Sequence, residues 1–243
     1  MYNLSQSIFP IIYYDDNRCA NVAGSAFLVE NNDVPFLLTA AHVLRDVGSK
    51  FLPFLLLHDK AIRLHEPAFM SPINKIDGSD NIDVGCFPIQ PNKTLATHLQ
   101  EYKTISLQDY PYENHLEKEI YFAYGFPWRS AKYNKSTREI WAPPIQYFAD
   151  FVENLGVYKK YKKSSEDHII IKYNQKQIFD QNGKKKMPPK PLGVSGGPIF
   201  RALLNENNVC ELVILEGLLT NWEDNQWMIA TRKKTIKNFI ETK

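Results

Sequence analysis

The stretch that decides the fold of this chain reads Gly193-Val194-Ser195-Gly196-Gly197-Pro198. Glycines on both sides of Ser195 leave open space above its hydroxyl and let the loop turn its backbone N–H groups toward one point. Such donors hold the negative oxygen that develops when a hydroxyl attacks a carbonyl carbon. The stretch therefore predicts a nucleophilic serine on a tight loop.

A serine hydroxyl becomes a good nucleophile when a base removes its proton, and a candidate base lies far upstream. His42 follows the strand-like run in Leu38-Thr39-Ala40-Ala41-His42. Because neutral imidazole titrates near working pH, His42 is suited to take the proton of Ser195. Each motif alone is common, but together and in this order they are specific.

A carboxylate that orients the histidine is the third requirement, and Asp83 is the preferred candidate. It is followed by Val84-Gly85-Cys86-Phe87, a pattern that fits a buried strand. Asp77 and Asp80 lie nearby, and either stays open as the true partner.

These motifs together resemble those of the chymotrypsin-like (trypsin-like) serine proteases, and among them the compact bacterial peptidases. The chain order of histidine, aspartate and serine matches this family and differs from that of subtilisin and the α/β-hydrolases. Two more segments support the resemblance. Residues 24–29 are similar to the strand before the histidine motif, and residues 215–220 to the strand that lines the substrate cleft.

The resemblance implies a catalytic triad in which His42 takes the proton of Ser195 while Asp83 fixes the tautomer of the imidazole. The backbone N–H groups of Gly193 and Ser195 would form the oxyanion hole. The implied activity is that of a serine endopeptidase, which forms an acyl-enzyme on Ser195 and then hydrolyses it. We expect no cofactor and no metal, since the other histidines lack the spacing of a metal site.

Family correspondence also implies which residues bind substrate: Leu192, Thr220, Asn221 and Trp222. No aspartate stands there, so a small or apolar residue is expected before the scissile bond (position P1). In the digestive members of the family an aspartate replaces Val194 and pairs with a new N-terminus after cleavage. Valine cannot form that ion pair, so we expect activity without zymogen-type activation.

The fold class predicted is all-β, with two six-stranded antiparallel β-barrels (the chymotrypsin-like double barrel) and a short C-terminal helix. Short runs of β-branched and aromatic residues recur along the 243 residues, and apolar residues near the C-terminus follow a helical spacing. We expect an N-terminal barrel with the histidine and aspartate at 1–95, a connector at 96–118, and a C-terminal barrel with the serine at 119–243.

Charge is distributed unevenly, although the net charge is only +2. Residues 158–190 hold ten lysines and three acidic residues, which is typical of a solvated loop. A docking surface for an acidic partner is the other interpretation. Nucleic acid is disfavoured as a partner because this segment contains no arginine.

The surroundings of the protein are predicted from the start of the chain and from its cysteines. The N-terminus has no basic and apolar leader, and the three cysteines are widely spaced, so we expect a reduced, cytoplasmic protein. No apolar run reaches the ~20 residues of a membrane helix, so no membrane association is expected. The expected partners are a protein or peptide substrate and a regulatory protein.

A second interpretation keeps the fold and drops the reaction. The chain would then be a catalytically idle trypsin-like module that binds peptides or acts as a sensor in a regulatory or defence system. The presence of all three triad candidates favours the active enzyme.

Overall fold

The computed structural model describes residues 4–57, 60–64, 68–73, 81–90, 93–109, 118–173 and 189–243. Strands dominate these residues. The strands of the first half are β1 (Ile8–Tyr14), β2 (Ala20–Asn31), β3 (Val34–Ala40), β4 (Phe54–Leu57), β5 (Lys60–Arg63), β6 (Phe69–Met70), β7 (Val84–Pro88) and β8 (Ile105–Ser106).

The second half contains the strands β9 (Lys118–Gly125), β10 (Lys132–Asn134), β11 (Glu139–Trp141), β12 (Ile145–Phe151), β13 (His168–Tyr173), β14 (Pro198–Leu204), β15 (Cys210–Glu223) and β16 (Trp227–Arg232). The α-helices are short: α1 (Ala41–Gly48), α2 (Lys93–Leu99), α3 (Leu155–Lys160) and α4 (Lys233–Glu241). Single 3₁₀ turns lie at Leu4–Gln6 and Trp128–Ser130.

The first half forms an eight-stranded sheet in the order β5-β4-β1-β2-β3-β7-β6, with β8 added to β2 in parallel. Its β2–β3 connection is a two-residue turn in which Asn32 and Asp33 adopt left-handed φ angles of 50° and 63°. Asparagine and aspartate tolerate this conformation, which suits the twist of a hairpin. The hairpin fixes the register that leads β3 directly into α1 and the histidine.

The second half closes into a six-stranded antiparallel barrel in the order β12-β13-β16-β15-β14-β9. The predicted all-β class with two sheet systems and a C-terminal helix is confirmed. The sheet of the first half has eight strands where six were expected. The strands β6 and β8 contain two residues each, and such short strands leave no periodic signal in a sequence.

Several short elements were missing from the sequence prediction. Helix α2 and strand β8 lie in or beside the predicted connector at 96–118, and β10 and β11 form a separate hairpin. Helix α3 leads into the lysine-rich segment, and the side chain of Asn154 caps the helix by accepting from Gly156 N at 2.8 Å. The division into 1–95, 96–118 and 119–243 stays a prediction.

The main hydrophobic core joins the two halves of the molecule. It contains Phe27 and Leu38 from the first sheet, Phe122 and Phe200 from the barrel, and buried residues of α4. A second, smaller core fills the barrel interior. Because both halves contribute side chains to this one core, packing within it holds the first sheet and the barrel against each other. Among the helices of the described residues, none has both the length and the apolar character that crossing a membrane would require.

Replacement of Phe200 tests this shared core. Phe200 is 1% exposed and its ring lies 5.3 Å from that of Phe122, whereas Phe148 is 38% exposed at 5.9 Å from the same ring. We expect Phe200→Ala to lower the free energy of unfolding by about 3–5 kcal/mol in urea titrations, because it opens a cavity. Phe148→Ala, the matched control, should cost less than half of that. Equal losses would contradict the shared core.

Candidate active site

The loop that carries Ser195 owes its shape to two glycines. Gly193 and Gly196 adopt left-handed φ angles of 92° and 86°. A Cβ atom on Gly196 would lie 2.1 Å from the carbonyl oxygen of Ser25 in β2. Glycine is thus required at position 196 both for conformation and for close approach to the first sheet.

The backbone N–H groups of this loop divide into two sets. Those of Val194, Gly196 and Gly197 donate to backbone carbonyl oxygens at 3.2, 2.7 and 2.9 Å. Those of Gly193 and Ser195 have no acceptor among the described residues. The two free donors are the ones that the family resemblance assigns to the oxyanion hole. Free N–H groups on a loop otherwise fully bonded are available to a ligand oxygen.

Asp83 and His42 are in direct contact. The carboxylate of Asp83 accepts from the backbone N of His42 at 2.8 Å and lies 2.5 Å from Nδ1 of its imidazole. His42 is in the first turn of α1, where backbone N–H groups lack partners within the helix and Ala40 provides no side-chain cap. The carboxylate of Asp83 therefore both orients the imidazole and caps the helix.

The contact also decides the tautomer of His42. A carboxylate only accepts hydrogen bonds, so Nδ1 carries the hydrogen and Nε2 keeps a lone pair for another proton. Burial lowers the pKa of His42, but the hydrogen bond and charge of Asp83, with the charge of Asp46, outweigh it. Arg45 opposes them weakly, and the net result is a pKa above the ordinary value. The contact with Asp83 thus makes the imidazole of His42 more basic than burial alone would leave it.

The second half of the molecule braces the segment that carries Asp83. Thr231 Oγ1 donates to the carbonyl oxygen of Ile82, and Nε2 of His168 lies 2.6 Å from the carbonyl oxygen of Asn81. Asp83 itself is buried and has a left-handed φ of 48°, which needs such support. The alternatives Asp77 and Asp80 lie outside the described residues.

At Gly24, strand β2 lies close both to Val43, the residue after His42, and to Ser195. A Cβ atom built on Gly24 would meet the side chain of Val43 at 2.7 Å and the carbonyl oxygen of Ser195 at 3.0 Å. The Ser195 hydroxyl donates its hydrogen bond to the carbonyl oxygen of Thr220 at 3.3 Å rather than to His42. Rotation about one side-chain bond moves a serine hydroxyl between acceptors, and catalytic contacts often tighten only with substrate bound.

The predicted substrate-binding residues differ in exposure and in their contacts. Thr220 is 2% exposed and bonds the Ile229 carbonyl oxygen at 3.1 Å, while Leu192 is 40% exposed on the serine loop. A cavity of about 500 Å³ beside His42 is lined by Asn221 and by Tyr161 and Lys163 of the lysine-rich segment. The start of that segment therefore reaches the cleft.

The last predicted substrate-binding residue, Trp222, packs against the barrel core that contains Val194, and Lys190 Nζ lies 6.0 Å from its ring. Among the described residues, the Nε1 of Trp222 and the hydroxyl of Tyr173 are both buried without a hydrogen-bond partner. Tyr173 stacks edge-on against Tyr147, whose hydroxyl bonds the Pro189 carbonyl oxygen at 3.2 Å. Two unsatisfied polar groups thus border the loop from 189 to 194.

Sequence reasoning missed Tyr173 and Ser25 as site residues. Tyr173 is the last residue of β13, and only the closed barrel brings it into the same core as Val194 of the serine loop. Ser25 was noted as part of a strand but not for its side chain. In the described part of the chain, no cluster of three or more His, Cys, Asp or Glu side chains is placed to hold a metal ion.

Comparison with solved structures identifies the fold. The chain is similar to GrC, with 14% identity, TM-score 0.54, and 98% of this chain and 93% of that one covered. It is similar to mouse neuropsin, a serine protease, with 14% identity, TM-score 0.55 and coverage of 100% and 96%. It is also similar to a scabies mite inactivated protease paralogue, with 11% identity, TM-score 0.53 and coverage of 99% and 96%.

These likenesses show that the chain has the chymotrypsin-like fold. At such low identity they show the fold alone. No protein-family model matches the sequence. No curated protein matches it either.

The titration of His42 tests the contact with Asp83. We expect NMR of the imidazole to give a pKa above the ordinary value of about 6.5, because the carboxylate favours the charged ring. Asp83→Asn removes the main contributions that raise the pKa, and burial, the largest single contribution, then outweighs the charge of Asp46, so the pKa should fall below that value. Asp46→Asn, the control, should lower it less. A wild-type pKa at or below the ordinary value would contradict the arrangement.

Proposed function

We propose that this protein is a serine endopeptidase that cleaves peptide bonds with Ser195, His42 and Asp83. The observation that carries the proposal is the pair of free N–H groups on Gly193 and Ser195, next to the hydroxyl that would attack. An oxyanion hole needs two donors aimed at one point, and a loop built for packing alone would use them internally. The fold supports the proposal because solved structures with it include serine proteases.

Acylation would begin when the Ser195 hydroxyl turns from Thr220 toward Nε2 of His42. As Oγ bonds to the substrate carbonyl carbon, Nε2 takes the hydroxyl proton and the carbonyl oxygen becomes an anion. The N–H groups of Gly193 and Ser195 hold that anion. The imidazolium then gives its proton to the leaving amine, the carbon–nitrogen bond breaks, and the acyl group stays on Ser195.

Deacylation would repeat these steps with water. His42 removes a proton from a water molecule, whose oxygen attacks the acyl carbon. The bond between that carbon and Oγ of Ser195 then breaks, Oγ takes the proton from His42, and the carboxylic acid product leaves. Throughout, Asp83 keeps Nδ1 protonated and stabilises the positive charge of the ring.

Val194 supports the proposal that no activating cleavage is needed. Its side chain is 0% exposed and belongs to the core of the barrel with Tyr147, Tyr173 and Leu219. The loop is therefore held by apolar packing where other members of the fold use a buried ion pair.

The alternative function is a catalytically idle module that binds peptides. Two observations favour it: the Ser195 hydroxyl bonds the Thr220 carbonyl oxygen, and one similar structure is that of an inactivated protease paralogue. Its cleft would still bind a peptide chain, but no acyl-enzyme would form. A cytoplasmic location, a bacterial source and a regulatory protein partner stay predictions from the sequence.

Covalent labelling separates the two functions. A fluorophosphonate probe reacts when Oγ of the nucleophile bonds to phosphorus and fluoride leaves, with the hydroxyl proton going to the base. We expect the wild-type protein to be labelled, and Ser195→Ala to be unlabelled, in gel fluorescence and intact mass spectrometry. Since the base must be neutral, labelling should rise with pH through the elevated pKa of His42.

Two controls frame this labelling experiment. His42→Ala should lower the labelling rate by about 10²–10⁴-fold, while Ser136→Ala, in an exposed turn, should leave it unchanged. Absence of wild-type labelling between pH 6 and 9, in a protein shown to be folded, would favour the idle module.

The substrate is proposed to carry an acceptor oxygen at P1. Among the described residues, the buried polar groups of Trp222 and Tyr173 have no hydrogen-bond partner, and a buried donor without a partner costs about 1–3 kcal/mol. A glutamine side chain would meet this need, whereas the apolar residue expected from the sequence would not.

Matched peptides test this preference. We expect a peptide with Gln at P1 to show kcat/KM about tenfold above the same peptide with Leu, by a chromatographic cleavage assay. Trp222→Phe removes the N–H donor and should reduce the difference. Faster cleavage after Leu in the wild-type enzyme would contradict the proposal.

A further inference from the structure

Ser25 connects the first sheet to the serine loop of the second half. It lies within β2 and is 0% exposed. Its backbone N donates to the carbonyl oxygen of Ser195 at 2.8 Å, and its own carbonyl oxygen accepts from Thr39 Oγ1 at 2.7 Å. The residue is thus anchored in its own sheet and bonded to the nucleophile of the other half.

The hydroxyl of Ser25 makes a second pair of hydrogen bonds. It donates to the carbonyl oxygen of Gly193 at 3.2 Å and accepts from the backbone N of Phe126 at 2.9 Å. Its place is narrow, because a Cβ atom on Gly125 would lie 2.6 Å from this oxygen. One buried hydroxyl therefore bridges β2, the end of β9 and the serine loop.

These bonds fix the peptide groups next to the two free donors. Peptide groups are planar, so the carbonyl of Gly193 holds the peptide that links it to Val194. The N–H groups of Gly193 and Ser195 belong to the peptides immediately before and after that one. Rotation of the central peptide would turn both donors away from a common point. The Ser25 hydroxyl opposes that rotation through the carbonyl of Gly193, and the N–H of Val194 in the same peptide opposes it through the carbonyl oxygen of Pro191 at 3.2 Å. The Ser25 N–H holds the next part of the loop through the carbonyl of Ser195.

The loop needs such a restraint because of its conformation. Gly193 has a left-handed φ of 92°, and Val194 offers packing but no charge or hydrogen bond from its side chain. Apolar packing is not directional, so it holds the position of Val194 without setting the orientation of the neighbouring peptides. Hydrogen bonds are directional, and that of Ser25 reaches the peptide whose orientation matters.

We infer that Ser25 is a positioning residue for the oxyanion hole, acting through the carbonyl of Gly193. The inference rests on the proposed serine protease function. The neutral hydroxyl of Ser25 would hold the serine loop in the conformation that leaves the N–H groups of Gly193 and Ser195 available to a substrate oxygen.

Labelling kinetics test the inference. We expect Ser25→Ala to lower the second-order rate of fluorophosphonate labelling by about 10- to 100-fold, less than or equal to the loss of a whole oxyanion donor. Ser25→Thr keeps the hydroxyl and should restore most of the rate. The pH midpoint of labelling should stay the same in all three proteins, because the contact between His42 and Asp83 is unchanged.

Tyr158→Phe is the matched control. It also removes a buried hydroxyl that accepts a backbone N–H, that of Ile170 at 3.1 Å, but it does not touch the serine loop. The thermal stability of Tyr158→Phe should decrease by about as much as that of Ser25→Ala, while its labelling rate should stay at the wild-type value. Equal rate losses in the two variants, or a wild-type rate in Ser25→Ala, would overturn the inference.

A second measurement does not depend on activity. The amide NMR signals of Gly193 and Ser195 report the loop conformation directly and should move in Ser25→Ala but not in Ser25→Thr. Unchanged signals in Ser25→Ala would overturn the inference even if the wild-type protein is never labelled. If the wild-type protein is not labelled but the two amide signals move in Ser25→Ala, the protease function would be rejected. Ser25 would then remain the residue that shapes the loop.

Discussion

The contact between the serine loop and strand β2 is the interaction on which the rest of the site depends. The loop carries a nucleophile candidate and two free N–H donors, so it lacks part of the internal hydrogen bonding that would hold a turn by itself. Ser25 bonds the carbonyl oxygens of Gly193 and Ser195, and Gly196 permits the close approach. The orientation of the loop in one half is therefore determined by a strand of the other half.

A similar dependence between the halves holds for Asp83. Its carboxylate bonds the backbone N and the ring of His42, so the start of α1 and the orientation of the imidazole follow from one side chain. That side chain is in turn placed by Thr231 and His168 from the barrel, through the carbonyls just before it. Each half thus supplies part of the site and also holds the part supplied by the other.

The chymotrypsin-like fold by itself leaves the activity open, because one fold supports both active and inactive proteins. One of the similar structures is that of an inactivated protease paralogue. Activity depends on details within the fold: two donors that no carbonyl occupies, an imidazole with a free Nε2, and a hydroxyl able to reach it. The contacts of Gly193, His42 and Ser195 bear on those details more directly than any overall likeness does.

The sequence by itself determined the motifs of His42, Asp83 and Ser195, the all-β class and the C-terminal helix. These follow from local chemistry and periodic apolar patterns, which are visible in neighbouring residues. Helix α2 and the hairpin of β10 and β11 left no such pattern, because they are short and of mixed polarity. Only the tertiary structure decided the role of Ser25, and only it showed that the buried polar groups of Trp222 and Tyr173 have no hydrogen-bond partner among the described residues. Those properties are hydrogen bonds made or missing between residues far apart in the chain, and no local pattern encodes them.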